Sequence, residues 1–140
     1  MKVTYWGNAR NIPTPTQDQE ILRALRKIGE VKFFDIKQFD IGRLIASANR
    51  SDIFLFHAQV PTLDEVTSML MVERIQVVLR TVKCKKILWF MEKVWLNKGN
   101  IVERLLPEVD YAFFVDETWV RRVKERAYPL HPAAPSKFLR

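Results

Sequence analysis

The chain has 140 residues, 48% of them hydrophobic and 28% charged, and carries a formal net charge of +7 at pH 7. Those proportions describe one globular domain (residues 1–140), not a disordered tail or a membrane span, and a chain of this length buries roughly two-thirds of its unfolded surface. A single cysteine, Cys84, excludes an internal disulfide and any cysteine-based metal cluster. No run reaches the ~18 apolar residues of a membrane span, and a strand at the very start leaves no room for a signal peptide, so cytoplasmic residence is the expectation.

Met1–Gly7 is rich in β-branched and aromatic residues and stops at a glycine, as a first strand would. After a loop, Thr14, Pro15 and Gln17 read as the start of a helix that ends at Gly29, with Ile21, Leu22, Leu25 and Ile28 on its inner face. Val31–Ile36 is a second strand, alternating enough to be less deeply buried. Asp40 reads as the cap of a short helix whose inner face is Ile41, Leu44, Ile45 and Ala48. Asp52–His57 is a continuous apolar third strand.

Thr62-Leu63-Asp64-Glu65 forms a capping box that opens the longest helix, to about Val82, with Leu63, Val66, Leu70, Val77 and Val78 turned inward. Its wide apolar face predicts burial against the sheet and a further element, and Met69, Leu70 and Met71 together suit a self-association (homo-oligomer) or domain interface. Lys86–Glu92 is the most apolar strand, predicted to be covered on both faces. Asn100–Glu103 is a third capping box, opening a short helix that Pro107 ends. Tyr111–Val115 is a fifth strand, Asp116–Ala127 a basic helix, and Tyr128–Pro135 an extended segment that would supply a short last strand. This alternation predicts an α/β fold: one doubly wound, mainly parallel, Rossmann-like sheet of five to six strands with helices on both faces.

In such a sheet, ligands bind outside the carboxyl ends of the strands, at the switch in strand order. Topology alone then nominates Asn8 and Arg10 after the first strand and His57 at the end of the third. It adds Glu92 after the fourth strand, Glu117 after the fifth and His131 near the end of the chain. Gly7, Gln59, Lys93 and Asp116 adjoin them. Each has a plain structural alternative: His57 as a strand-end imidazole bonded to a carbonyl, Glu92 as a cap or ion-pair member, Glu117 as a dipole-complementing residue of a basic helix.

Several chemistries fall away. Gly7-Asn8-Ala9-Arg10 lacks the second and third glycines that let backbone approach a pyrophosphate, so no dinucleotide cofactor is expected. There is no Walker lysine loop, no phosphoacceptor aspartate at the end of the third strand, no Ser/Thr/Gly phosphate loop after the first and no Gly-x-Ser-x-Gly elbow. With two histidines and one cysteine, no ligand spacing supports a metal.

One arrangement is more definite. The strand Ile87-Leu88-Trp89-Phe90-Met91-Glu92 ends in an acidic residue. A helix follows it, then Val109-Asp110-Tyr111-Ala112-Phe113-Phe114-Val115, a second helix and Tyr128-Pro129-Leu130-His131-Pro132-Ala133-Ala134-Pro135. This resembles the amino-terminal half of GT-B-type glycosyltransferases, particularly the spore-maturation-protein-B-like group. The resemblance covers about residues 52–135, and more loosely the whole chain. It implies a Rossmann-like half that holds the acceptor, facing a second half that holds the sugar nucleotide. It therefore implies that this chain does not transfer sugar alone. Asn8, Arg10, His57, Glu92, Glu117 and His131 would line the cleft, and where the group favours an aspartate this chain has Glu92-Lys93.

Two other functions compete. One is a non-catalytic binding module for a phosphorylated small molecule or a protein. The other is a nucleic-acid-associated protein acting through Arg121, Arg122, Lys124 and Arg126. The latter is the weaker, because aromatic residues do not interleave with that basic run beyond Trp119. A second basic cluster, Arg80, Lys83, Lys85 and Lys86, is predicted at the end of the sheet opposite any site.

Overall fold

The computed structural model describes residues 1–7, 17–36, 39–57, 65–90, 99–114, 117–123 and 126–129. Within them strands and helices alternate. The strands are β1 (Lys2–Gly7), β2 (Glu30–Asp35), β3 (Ile53–His57), β4 (Lys85–Phe90), β5 (Tyr111–Phe114) and β6 (Ala127–Pro129). The helices are α1 (Gln17–Arg26), α2 (Ile41–Asn49), α3 (Glu65–Thr81), α4 (Gly99–Leu105) and α5 (Glu117–Val123), with a 3-10 turn at Leu106–Glu108.

The six strands form one sheet in the order β2-β1-β3-β4-β5-β6, and every pair is parallel. From β1 the chain steps one way to β2, then crosses back and continues to β6. Right-handed crossovers therefore place α1 on one face and the later helices on the other. The packing agrees. Leu22 of α1, with Ile21 and Leu25, covers Val3, Tyr5 and Leu55. On the opposite face, Leu44 and Ala48 of α2, Val72, Ile75, Val78, Leu79 and Val82 in and after α3, and Val102 and Leu105 of α4 cover Trp6, Phe54, Phe56, Leu88, Phe90 and Phe114. Phe90 and Phe114 stack there with centroids 4.7 Å apart.

The predicted inner faces need three corrections. Ile28 is exposed because α1 ends at Arg26, leaving Ile28 in the turn to β2. Ile41 is exposed because it is the first residue of α2, before the helix meets the sheet. Val77 is exposed because the buried stripe runs through Val72, Ile75, Val78, Leu79 and Val82, which puts Val77 on the far side of the cylinder. The terminal helix is also shorter than predicted. It has ended by Arg126, which takes a left-handed φ of 61°, and Ala127 opens β6 because the Arg126 carbonyl accepts from Ala112 N at 2.7 Å. Asp40 caps α2 as expected, accepting from Arg43 N at 2.9 Å.

The wide face of α3 does meet a second element besides the sheet, namely α4. Gln76 Nε2 donates to the Arg104 carbonyl at 3.0 Å, and Arg104 Nη2 donates back to Gln76 Oε1 at 3.0 Å. Β4 is covered unequally: Leu88 and Phe90 are buried, while Ile87 and Trp89, on the α1 side, are half-buried.

At the amino edge of the sheet one device occurs twice. Lys2 N donates to Asp52 Oδ2 at 2.8 Å while Asp52 N donates to the Lys2 carbonyl at 2.9 Å. Lys86 N and Asp110 repeat both bonds, at 2.8 and 2.9 Å. In each case the aspartate just before one strand clamps the start of its neighbour, β3 on β1 and β5 on β4.

Candidate functional site

The strand order reverses between β1 and β3, so the crevice of this sheet lies outside Gly7 and His57. His57 stands in register with Trp89 of β4, on the α1 side, and is 1% exposed. On the opposite face of the sheet the carboxyl edge is apolar: Trp6 packs against Phe39, Phe54 and Phe56, with ring centroids 4.5 Å apart for the Trp6–Phe56 pair. The indole Nε1 atoms of Trp6 and Trp89 are both buried, and no described residue accepts from either. A buried donor without a partner costs about 1–3 kcal/mol. Two of them beside the switch point mark this edge as chemically unfinished among the described residues.

Of the residues nominated from sequence, the structure thus places His57 at the switch point, at the end of a strand and out of solvent. Glu117 begins α5, after β5 and at the same edge of the sheet. Asn8, Arg10, Glu92 and His131 lie outside the described residues, as do Gln59, Lys93 and Asp116. Among the described residues no group of three or more His, Cys, Asp or Glu could hold a metal ion. No described helix is long and apolar enough to cross a membrane.

A polar pocket of about 180 Å³ lies at the other end of the sheet, lined by Lys2, Glu30, Lys32, Ser47, Arg50 and Ser51. Thr4 Oγ1 sits beside it, 2.8 Å from Ser47 Oγ and 2.7 Å from Ser51 Oγ, while Ser51 Oγ donates to the Ser47 carbonyl at 2.9 Å. The carbonyl can only accept, so the proton order is fixed: Ser47 donates to Thr4, Thr4 to Ser51, and Ser51 to the carbonyl. All three hydroxyl protons are spent internally. The group is a polar strut between β1 and the end of α2, illegible in the sequence because Thr4 lies more than 40 positions from both serines.

The basic cluster predicted at this far end is found there. Lys86 Nζ donates to the Leu79 carbonyl at 2.7 Å, in the last turn of α3, and Arg80 pairs with Glu108 at 2.8 Å. Lys83 N donates to Asn49 Oδ1 at 2.8 Å. These residues close the bottom of the fold. Cys84 lies among them; burial pushes its thiol up from the ordinary value, and its Sγ donates to the Lys85 carbonyl at 3.7 Å.

An all-parallel sheet in this order, with a crevice at the β1/β3 switch, defines a Rossmann-like α/β domain. No family model matches the sequence, and no curated protein matches it. Among solved structures, the chain is similar to an alpha-glucosyltransferase in complex with UDP and a 13-mer DNA containing a central A:G mismatch. The TM-score is 0.67 at 11% sequence identity, over 94% of this chain and 41% of that one. The fold of this chain is thus similar to that of a part of that protein, and the chain spans less than half of its length.

Proposed function

We propose that this chain is the acceptor-side domain of a GT-B-like glycosyltransferase. In this reading a second Rossmann-like half, in the same protein or a partner, carries most of the sugar-nucleotide site. The observation that carries the proposal is the fold: nearly the whole chain superposes on a part of a UDP-bound glucosyltransferase. The amino-terminal-half resemblance in residues 52–135 supports it and favours the spore-maturation-protein-B-like group. The crevice outside Gly7 and His57 then receives the acceptor, with Asn8, Arg10, Glu92, Glu117 and His131 as its further lining and the buried Trp6 and Trp89 donors beneath.

The test starts with the reading frame. If the natural gene ends at Arg140 and no neighbouring gene supplies a second Rossmann-like region, the transferase reading fails for this chain. Where a second half exists, the assembled protein should consume a UDP-sugar in the presence of acceptor, and this chain alone should not. His57→Ala in the assembled protein should raise the KM for acceptor more than that for the sugar nucleotide. Equal effects on both substrates, or none, would remove His57 from the acceptor side.

A second reading is a binding module without turnover. One observation favours it: His57, the described candidate side chain, is out of solvent. Calorimetric titration with nucleotides and phosphorylated sugars separates the two, since a module binds without consuming its ligand.

A further inference from the structure

On the α1 side of the sheet, the helix covers β2, β1 and β3 and reaches Ile87 and Trp89 of β4. Beyond them stand Tyr111 and Phe113 of β5 and Tyr128 of β6, which belong to neither apolar core. Register places all three on that same face: Ile87 beside Tyr111, Trp89 beside Phe113, and Phe113 beside Tyr128. Tyr111 is 36% exposed and Tyr128 44% exposed, with Phe113 half-buried between them. Ring centroids are 5.9 Å apart for Tyr111–Tyr128 and 5.6 Å apart for Phe113–Tyr128. Lys85 Nζ lies 5.5 Å from the Tyr111 centroid.

We infer that this aromatic face of β4–β6 is a binding platform for single-stranded nucleic acid. Three features point to that occupant. First, aromatic side chains on adjacent strands of an open sheet present faces on which successive unstacked bases can lie. Second, Lys85 stands against the outer ring on a chain of net charge +7, so a phosphate backbone passing over Tyr111 meets a cation. Third, the Glu108 carboxylate is paired with Arg80 at 2.8 Å, so its charge is balanced there and does not offset Lys85 at the rings. The interleaving of aromatic and basic residues missing from the linear sequence is therefore assembled in space, from strands whose paired residues lie 24 positions apart for β4 with β5 and 15 apart for β5 with β6. The inference stands apart from the glycosyltransferase reading, since this face is not the carboxyl-edge crevice.

The experiment is fluorescence anisotropy of the full chain with labelled oligothymidylate and oligouridylate of about 16 nucleotides, the upper site size of a single-strand module. A duplex of the same length is compared across a salt series. Single strands should bind more tightly than duplex. Tyr111→Ala and Tyr128→Ala should each weaken binding about 5- to 100-fold through lost base stacking, leaving the salt slope unchanged, while Tyr111→Phe and Tyr128→Phe should bind like the parent. Lys85→Ala should instead lower the salt slope by about 0.7, one phosphate's worth on a single strand. Circular dichroism checks that each variant stays folded. Duplex binding equal to single-strand binding and indifferent to both tyrosines would overturn the inference in favour of bare charge. No binding at low salt would overturn it too, and self-association in sedimentation that both Tyr→Ala variants abolish would assign the face to a second copy.

Discussion

Cys84 shows how a single group can be read from its surroundings. Burial holds its thiol above the ordinary value, and the thiolate is the reactive form. Alkylation at about pH 8 should therefore run slower than in the urea-unfolded chain, whose thiol ionises near ~8.5; equal rates would contradict the assignment. The sign of the linked stability follows. The unfolded thiol loses its proton first, so the contribution is complete below the unfolded value and is lost as pH rises through the raised folded one. Cys84→Ala should flatten the alkaline fall in Tm. Gly29 is constrained by contact, not charge. A Cβ there would collide with the Met1 carbonyl, which also accepts from Glu30 N at 2.9 Å and so cannot step aside without loosening the start of β2. Gly29→Ala should cost about 1–3 kcal/mol, seen as a lower urea midpoint at unchanged m-value.

Between elements, the reciprocal Gln76–Arg104 pair carries the most information per bond. It joins α3 to α4 with a side chain that is itself buried. Gln76→Ala strips a partner from both the carbonyl and the guanidinium and should destabilise by about 1–3 kcal/mol in chemical denaturation. A change within a few tenths of a kcal/mol would mean that solvent replaces the bonds. The existence and order of the elements were legible in the sequence because apolar runs and capping signals are local: Asp40 caps α2, and Asp52–His57 is a strand. Helix faces were less so. Val77 and Val78 are equally apolar neighbours, and only the azimuth of the whole cylinder, set by contact with the sheet and α4, decides that one is exposed and the other buried. The end of α5 was missed because the demand of Ala112 for a partner carbonyl on Arg126 is a tertiary event.

At the scale of the molecule, the two edges of the sheet differ in kind. The crevice was legible as an edge, from topology, and His57 stands at the end of β3, which borders it. Its burial was not legible, since the depth of a strand-end side chain depends on neighbours such as Trp89 that register brings alongside. The hydroxyl strut and the aromatic face were invisible for the same reason. At the amino edge, Asp52→Ala and Asp110→Ala should each cost about 1 kcal/mol by opening one clamp. The two should be nearly additive in the double variant, because they share no partner. Strong non-additivity in thermal unfolding would show that the clamps act as one unit.

Those clamps have a consequence for divergence. A strand that slips by one residue turns every side chain to the wrong face, and here the alignment of β1 with β3 and of β4 with β5 is fastened at the edge away from the crevice. Insertions, deletions and exchanges at the crevice edge can then accumulate without disturbing the alignment beneath. A lineage built this way can keep its scaffold while losing nearly all sequence likeness and acquiring new ligands. The aspartate that precedes a strand is, in this light, what lets the opposite end change.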